Sequence, residues 1–166
     1  MPERKTIERA RKDKREGKSP STQAGEFVRE EMHHIREGKH GARSTKQAIA
    51  IGLSKARRAG VKLNAPKKGT ASSRTRRQAS RDVAKGRSGT RRRPSRTRSR
   101  AVRQALKGEG HAAASHRSLA KQAHASARRR SARQRSAAAR KAVRTKGPRE
   151  RSAAARKAAR TRARHH

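Results

Sequence analysis

Phe27 is the only Phe, Tyr or Trp among the chain's 166 residues, and that scarcity constrains the fold more than any other feature. Ordering a backbone costs about 1–2 kcal/mol per residue, and burial of large apolar side chains supplies most of the compensation. Hydrophobic residues make up 28% of the chain and charged residues 37%. That balance predicts a mostly α protein with extensive disorder. The expected organisation is a helical head over residues 1–63, a Ser/Arg/Gly-rich disordered linker over 64–100, and an Ala/Arg/Lys-rich tail over 101–166. The head is an αα-hairpin with a short leading helix, and the tail's short helices are expected to form on binding.

The charge balance narrows the partner. Lys and Arg total 51 against 11 acids, giving +40 and a pI near 12.0. Such a chain repels itself and seeks a polyanion. Residues 1–60 hold 16 basic residues and 8 acids, a net +8, whereas residues 61–166 hold 35 and 3, a net +32. Nucleic acid suits the second part, because each cation laid on a phosphate releases condensed counterions. Membrane surfaces suit it less, since basic interfacial helices need a face of Leu, Phe or Trp and the tail offers Ala. No apolar run approaches the roughly 20 residues of a membrane span, and the charged N-terminus lacks the apolar stretch of a secretory signal. The protein is expected to stay in the compartment where it is made. Cysteine is absent, which excludes disulfides and thiolate metal sites.

Helix punctuation is clear in the first sixty residues. Residues 3–16 read as a solvated helix stopped by Gly17. Ser19-Pro20 supplies a cap and a first-turn proline for a helix over about 20–37, with Ala24, Val28, Met32 and Ile35 on one face, Phe27 beside them and Gly38 at the end. Ser44 and Gln47 form a capping box for a helix running to Ala59 and closed by Gly60. The hairpin core is then Phe27, Val28, Met32, Ile35, Ile49 and Leu53. Ile51 sits about 160° from Leu53 around that helix, so it is either exposed or makes a second contact, with the leading helix or in a homodimer. Ser115 is a candidate cap for a helix carrying Leu119, Ala123 and Ala127.

The tail carries an internal repeat. RSAAARKAVRT at 135–145 recurs as RSAAARKAART at 151–161 with ten of eleven positions identical. Each copy has a Ser read as a cap, an Ala body, and Arg and Lys around it. The expected phosphate contacts are Arg91, Arg92, Arg93, Arg96, Arg98, Arg100, Arg128, Arg129, Arg130, Arg133, Arg135, Arg140, Lys141, Arg144, Arg151, Arg156, Lys157, Arg160, Arg162 and Arg164, with Lys46, Lys55, Arg57 and Arg58 of the hairpin as further candidates. Aromatic platforms for stacking unpaired bases are lacking, so duplex backbone is the preferred target. A helix-turn-helix reader needs a third helix for its core, and the signal for one is weak.

Other chemistry is thinly represented. Of the eight histidines, His33 and His40 fall near one face with Glu37, but a zinc site needs three or four converging ligands in a packed shell. The histidines read as surface residues, and no metal or cofactor is expected. Serines lie in arginine-rich stretches that cannot hold an acid–base constellation rigid, so no catalytic residue and no enzyme is expected. Ser95, Thr97 and Ser99 are candidate kinase targets, where each phosphate would subtract nearly two charges.

Residues 41–60, GARSTKQAIAIGLSKARRAG, resemble the core of a family of small, basic, uncharacterised bacterial proteins often labelled DNA-binding. The resemblance extends over residues 19–69 and implies a bacterial cytoplasmic protein without known catalytic or ligand residues. The tail is similar in composition to those of bacterial histone-like proteins and linker histones. Together these readings point to a sequence-tolerant, nucleoid-associated DNA binder that neutralises phosphate. One alternative is an RNA- or ribosome-associated protein. Another is an adaptor whose hairpin holds a protein partner, a role to which the acids Glu26, Glu30, Glu31 and Glu37 would suit it, or else they would hold the chain's own tail.

Overall fold

Two serines open helices where the spacing predicts them, and three glycines close the first three helices. In the computed structural model, which describes residues 2–88, 95–145 and 147–164, helix α1 is Arg4–Arg15, α2 is Pro20–Arg36 and α3 is Thr45–Arg58. The Ser19 hydroxyl accepts from the Thr22 amide at 3.4 Å, and Ser44 from the Gln47 amide at 3.2 Å. Gly17, Gly38 and Gly60 follow the three helices at φ of 70°, 73° and 87°, the left-handed conformation that side chains resist.

The expectation of extensive disorder is overturned. Beyond the hairpin the chain forms α4 (Ser73–Ser88), α5 (Arg96–Lys107), a 3-10 turn at Ala112–Ala114, α6 (His116–Arg128), α7 (Ala132–Thr145) and α8 (Pro148–Ala163). The span read as a disordered linker therefore contains α4 and the start of α5. Helix α4 is capped by Ser72, which accepts from the Thr75 amide at 3.2 Å. It buries Ala79 and Asp82 and packs against α3. Its Gly86 lies so close to the Arg57 carbonyl that a Cβ there would collide with it. Ile51, half-buried, lies one turn before Ser54 on the α3 side that meets α4, which accounts for its misfit with the hairpin core.

Small residues explain how so few large side chains suffice. Of eleven buried hydrophobic residues among those described, eight are alanine: Ala10, Ala24, Ala42, Ala48, Ala56, Ala79, Ala113 and Ala114. Helices bearing Ala and Gly approach closely, and backbone contact replaces side-chain bulk. At the α2–α3 crossing a Cβ on Gly52 would stand 2.7 Å from the Val28 Cα. Overall hydrophobic content registers this mode of burial poorly.

The chain divides into Met1–Gln122 and Ala123–His166. Within the first, α2 supplies both core clusters. Phe27 and Ala24 meet Ala10 of α1 and Ala56 of α3, with Ile7, Leu53, Val61 and Leu63 around them. Met32 and Ile35 meet Ala42, Ala48, Ala113 and Ala114, with Val28, Ile49 and Leu119 around them. Residues assigned to the tail thus complete the head's core. Thr45 donates its hydroxyl to the Ala113 carbonyl at 2.7 Å, and the Arg36 Nε donates to the Ala114 carbonyl at 2.8 Å. The Gly41 and Ala42 amides donate to Leu106 and Gly110 at 2.8 and 3.1 Å.

Candidate nucleic-acid interface

Ala123–His166 holds 16 Lys and Arg residues and one acid, Glu150, a net +15. Helix α7 opens on a reciprocal capping box: the Gln134 amide donates to the Ser131 hydroxyl and the Ser131 amide to the Gln134 side chain, both at 3.2 Å. Helix α8 opens on Pro148 in its first turn. The repeat's own serines, Ser136 and Ser152, therefore sit inside the helices rather than capping them, and Ser152 donates back to the Pro148 carbonyl at 3.0 Å. Neither helix buries a residue.

Helical geometry sorts the repeat's side chains. At about 100° per residue, Arg140, Lys141 and Arg144 fall within one arc of about 100°, and Ala138, Ala139, Ala142 and Val143 lie across from them. Arg156, Lys157 and Arg160 repeat the arc on α8. Arg133 lies in line with the α7 arc, about two turns before Arg140, whereas Arg135, Arg151 and Arg162 lie across from the arcs of their helices; Arg164 follows α8, and Arg128, Arg129 and Arg130 close α6 and enter the loop before α7. All of these are exposed. Among the described residues of Ala123–His166 no ion pair forms, so these cations face solvent without internal counter-charge. Arg96, Arg98 and Arg100 are exposed on α5, which Ser95 caps through the Arg98 amide at 3.5 Å. Arg91, Arg92 and Arg93 lie outside the described residues.

Two of the four hairpin candidates are engaged elsewhere. Lys55 places its ammonium 2.6 Å from Glu31 and 3.2 Å from Glu30. Arg57 is buried and donates to the Leu63 and Asn64 carbonyls at 3.3 and 3.5 Å; burial holds its pKa below the usual value, with nearby Asp82 opposing. Lys46 and Arg58 remain exposed, Arg58 at 3.7 Å from Asp82.

The acidic face dissolves on the same inspection. Glu30 and Glu31 are buried. Glu26 pairs with Arg9 at 2.9 Å, and Glu37 with Lys39 at 3.0 Å and His33 at 2.8 Å. Lys39 holds the Glu37 carboxyl below its ordinary pKa. Asp82 accepts from Ser54 at 2.6 Å and Gln78 at 3.2 Å. These acids pair with cations of the head itself. His40 does not join His33 and Glu37; it turns inward, 3.1 Å from Glu31. The spacing Glu31-x-x-His34 was the available signal for that inner cluster, and the surface reading of the histidines passed over it.

Among the described residues no helix is long and apolar enough to cross a membrane. Residues 17–69 match the model of a family of unknown function, DUF6496, a span that takes in α2, α3 and the segment leading to α4. No curated protein and no solved structure matches the chain.

Proposed function

We propose that the chain binds duplex DNA without regard to sequence, by neutralising phosphates with the exposed cations of α7 and α8 and those flanking them. One observation carries this reading: sixteen cations accompany a single acid in Ala123–His166, while Glu26, Glu30, Glu31, Glu37 and Asp82 are paired within the head. Unbalanced positive charge on exposed helices attracts a polyanion at long range. The arc Arg140, Lys141 and Arg144 spans about 6 Å of helix at 1.5 Å per residue, comparable with two phosphates at about 3.4 Å of axis per strand. Across from that arc lie mostly Ala and Val, with Arg135 the one cation among them, so the contact is chiefly with backbone.

A salt titration of full-length chain on duplex DNA tests the reading. If ten cations engage at once, the log–log slope of affinity against salt is about −9, from about −0.9 per contact. A slope shallower than about −3 overturns it. Competition by structured RNA at fixed salt, in the same assay, measures the preference for DNA.

A further inference from the structure

Three side chains converge in the head where the sequence promised only surface histidines. Glu31 and His34 stand one turn apart on α2, and His40 comes from the loop between α2 and α3. One ligand atom from each lies within 4.8 Å of the other two. Glu31 is 1% exposed, and the His34 and His40 side chains are only 13% and 18% exposed.

The hydrogen bonding around His40 sharpens the point. Its Nδ1 lies 3.1 Å from the Gly41 carbonyl, which can only accept, so Nδ1 carries the proton. The other nitrogen, Nε2, faces the Glu31 Oε1 at 3.1 Å. A neutral imidazole would set a lone pair against a carboxylate there. A shared proton closes that gap as a hydrogen bond, and a metal ion closes it equally well. Two ligand atoms on a tetrahedral zinc stand about 3.4 Å apart, given Zn–N and Zn–O lengths of about 2.0–2.2 Å. The observed gap is close to that.

We propose that Glu31, His34 and His40 bind one divalent ion of the zinc class. The surrounding shell suits it. The Gly41 carbonyl fixes the His40 tautomer, as a partner carbonyl does for a ligating histidine. Lys55 sits 2.6 Å from the other Glu31 oxygen, Oε2, where it orients the carboxylate while Oε1 coordinates. His34 also lines a surface cleft with Glu3, Arg9, Glu30 and Lys39, and its Nε2 stands 2.8 Å from the Glu3 Oε1. Two histidines and one carboxylate match zinc's preference for nitrogen and oxygen donors and leave its fourth position for water. Binding displaces any proton on Nε2. It pins the α2–α3 loop to α2, and that loop in turn holds the backbone of Leu106 and Gly110.

Full-length chain stripped with a chelator and then titrated with zinc sulfate tests this directly. One zinc per chain is expected, with a raised melting temperature. His40→Ala and His34→Ala should each weaken binding at least 10-fold, and His33→Ala, one position from His34 but paired with Glu37 at the surface, should not. Folded wild-type chain that takes up no zinc, or a His40→Ala chain that binds it unchanged, overturns the proposal. Should the alanine variants fail to fold, cobalt(II) in the wild type decides. An intense visible band of four-coordinate cobalt supports the site, and the pale spectrum of the hydrated ion sinks it. None of these readouts depends on DNA.

Discussion

Gly25 and Gly52 are both helical glycines, yet their surroundings are opposite. A Cβ at Gly25 would meet nothing within 4 Å, whereas one at Gly52 would press on Val28 of the neighbouring helix. Gly25→Ala should therefore stabilise the protein by about 0.4–1 kcal/mol, through helix propensity and a less free unfolded chain. Gly52→Ala gains the same propensity but must spread α2 from α3, and overpacking of that kind costs about 1–3 kcal/mol. Urea denaturation followed by circular dichroism should show midpoints moving in opposite directions; a shared sign would mean the crossing is looser than described. Lys55 makes a second contrast. Its ammonium is the counter-charge of two buried carboxylates, and removing one partner of a buried pair costs about 3–5 kcal/mol. Lys55→Gln should lower stability by about that much and leave DNA affinity per folded chain unchanged. Exposed Lys46→Gln should alter stability by less than about 0.5 kcal/mol. If Lys55→Gln instead weakened DNA binding and left stability intact, the sequence-based assignment of Lys55 to phosphate would be restored.

At the scale of elements, what could be read in advance divides along physical lines. The limits of α1, α2 and α3 were legible because caps and glycine stops are local signals, carried by Ser19, Ser44, Gly17, Gly38 and Gly60. Helix α4 was obscured because its buried face is Ala79 and Asp82, and no scale of hydrophobicity rewards an aspartate that pairs with Ser54 and Gln78. The docking of residues 106–119 was hidden more deeply. Its bonds run between segments about 70 residues apart and mostly use backbone carbonyls, which leave no mark on side-chain pattern. The exposed cations of α7 and α8 were visible from charge alone, but the inner Glu31–His34–His40 cluster needed the fold. Two experiments probe the docking. Thr45→Val removes the donor to the buried Ala113 carbonyl and should cost about 1–3 kcal/mol. A chain ending at residue 66 loses Ala113, Ala114, Leu119 and all of α4, so it should melt at least about 10 °C below a chain ending at residue 122, at about 4–8 °C per kcal/mol for a domain this small. Equal melting temperatures would return residues 64–100 to the role of linker and 101–122 to that of tail.

Across the whole molecule, charge is distributed as unevenly as burial. Ala123–His166 carries +15 over 44 residues, against +25 over the preceding 122, and the larger part includes the core, with its internally paired acids. The repeat gives this division a quantitative consequence. Because α7 and α8 present the same arc of three cations, backbone neutralisation makes the copies interchangeable, whereas reading of base edges would make each depend on what lies beneath it. Replacing Arg140, Lys141 and Arg144 with glutamine keeps helix propensity nearly constant and removes three contacts. The salt slope should fall in magnitude by about 2.7, at about 0.9 per contact. The matching change at Arg156, Lys157 and Arg160 should give the same decrement, and the two together about 5.4, on duplexes of any sequence. Unequal decrements, or a loss that varies with base sequence, would show that one copy does something the other cannot, and phosphate neutralisation alone would no longer describe the interface.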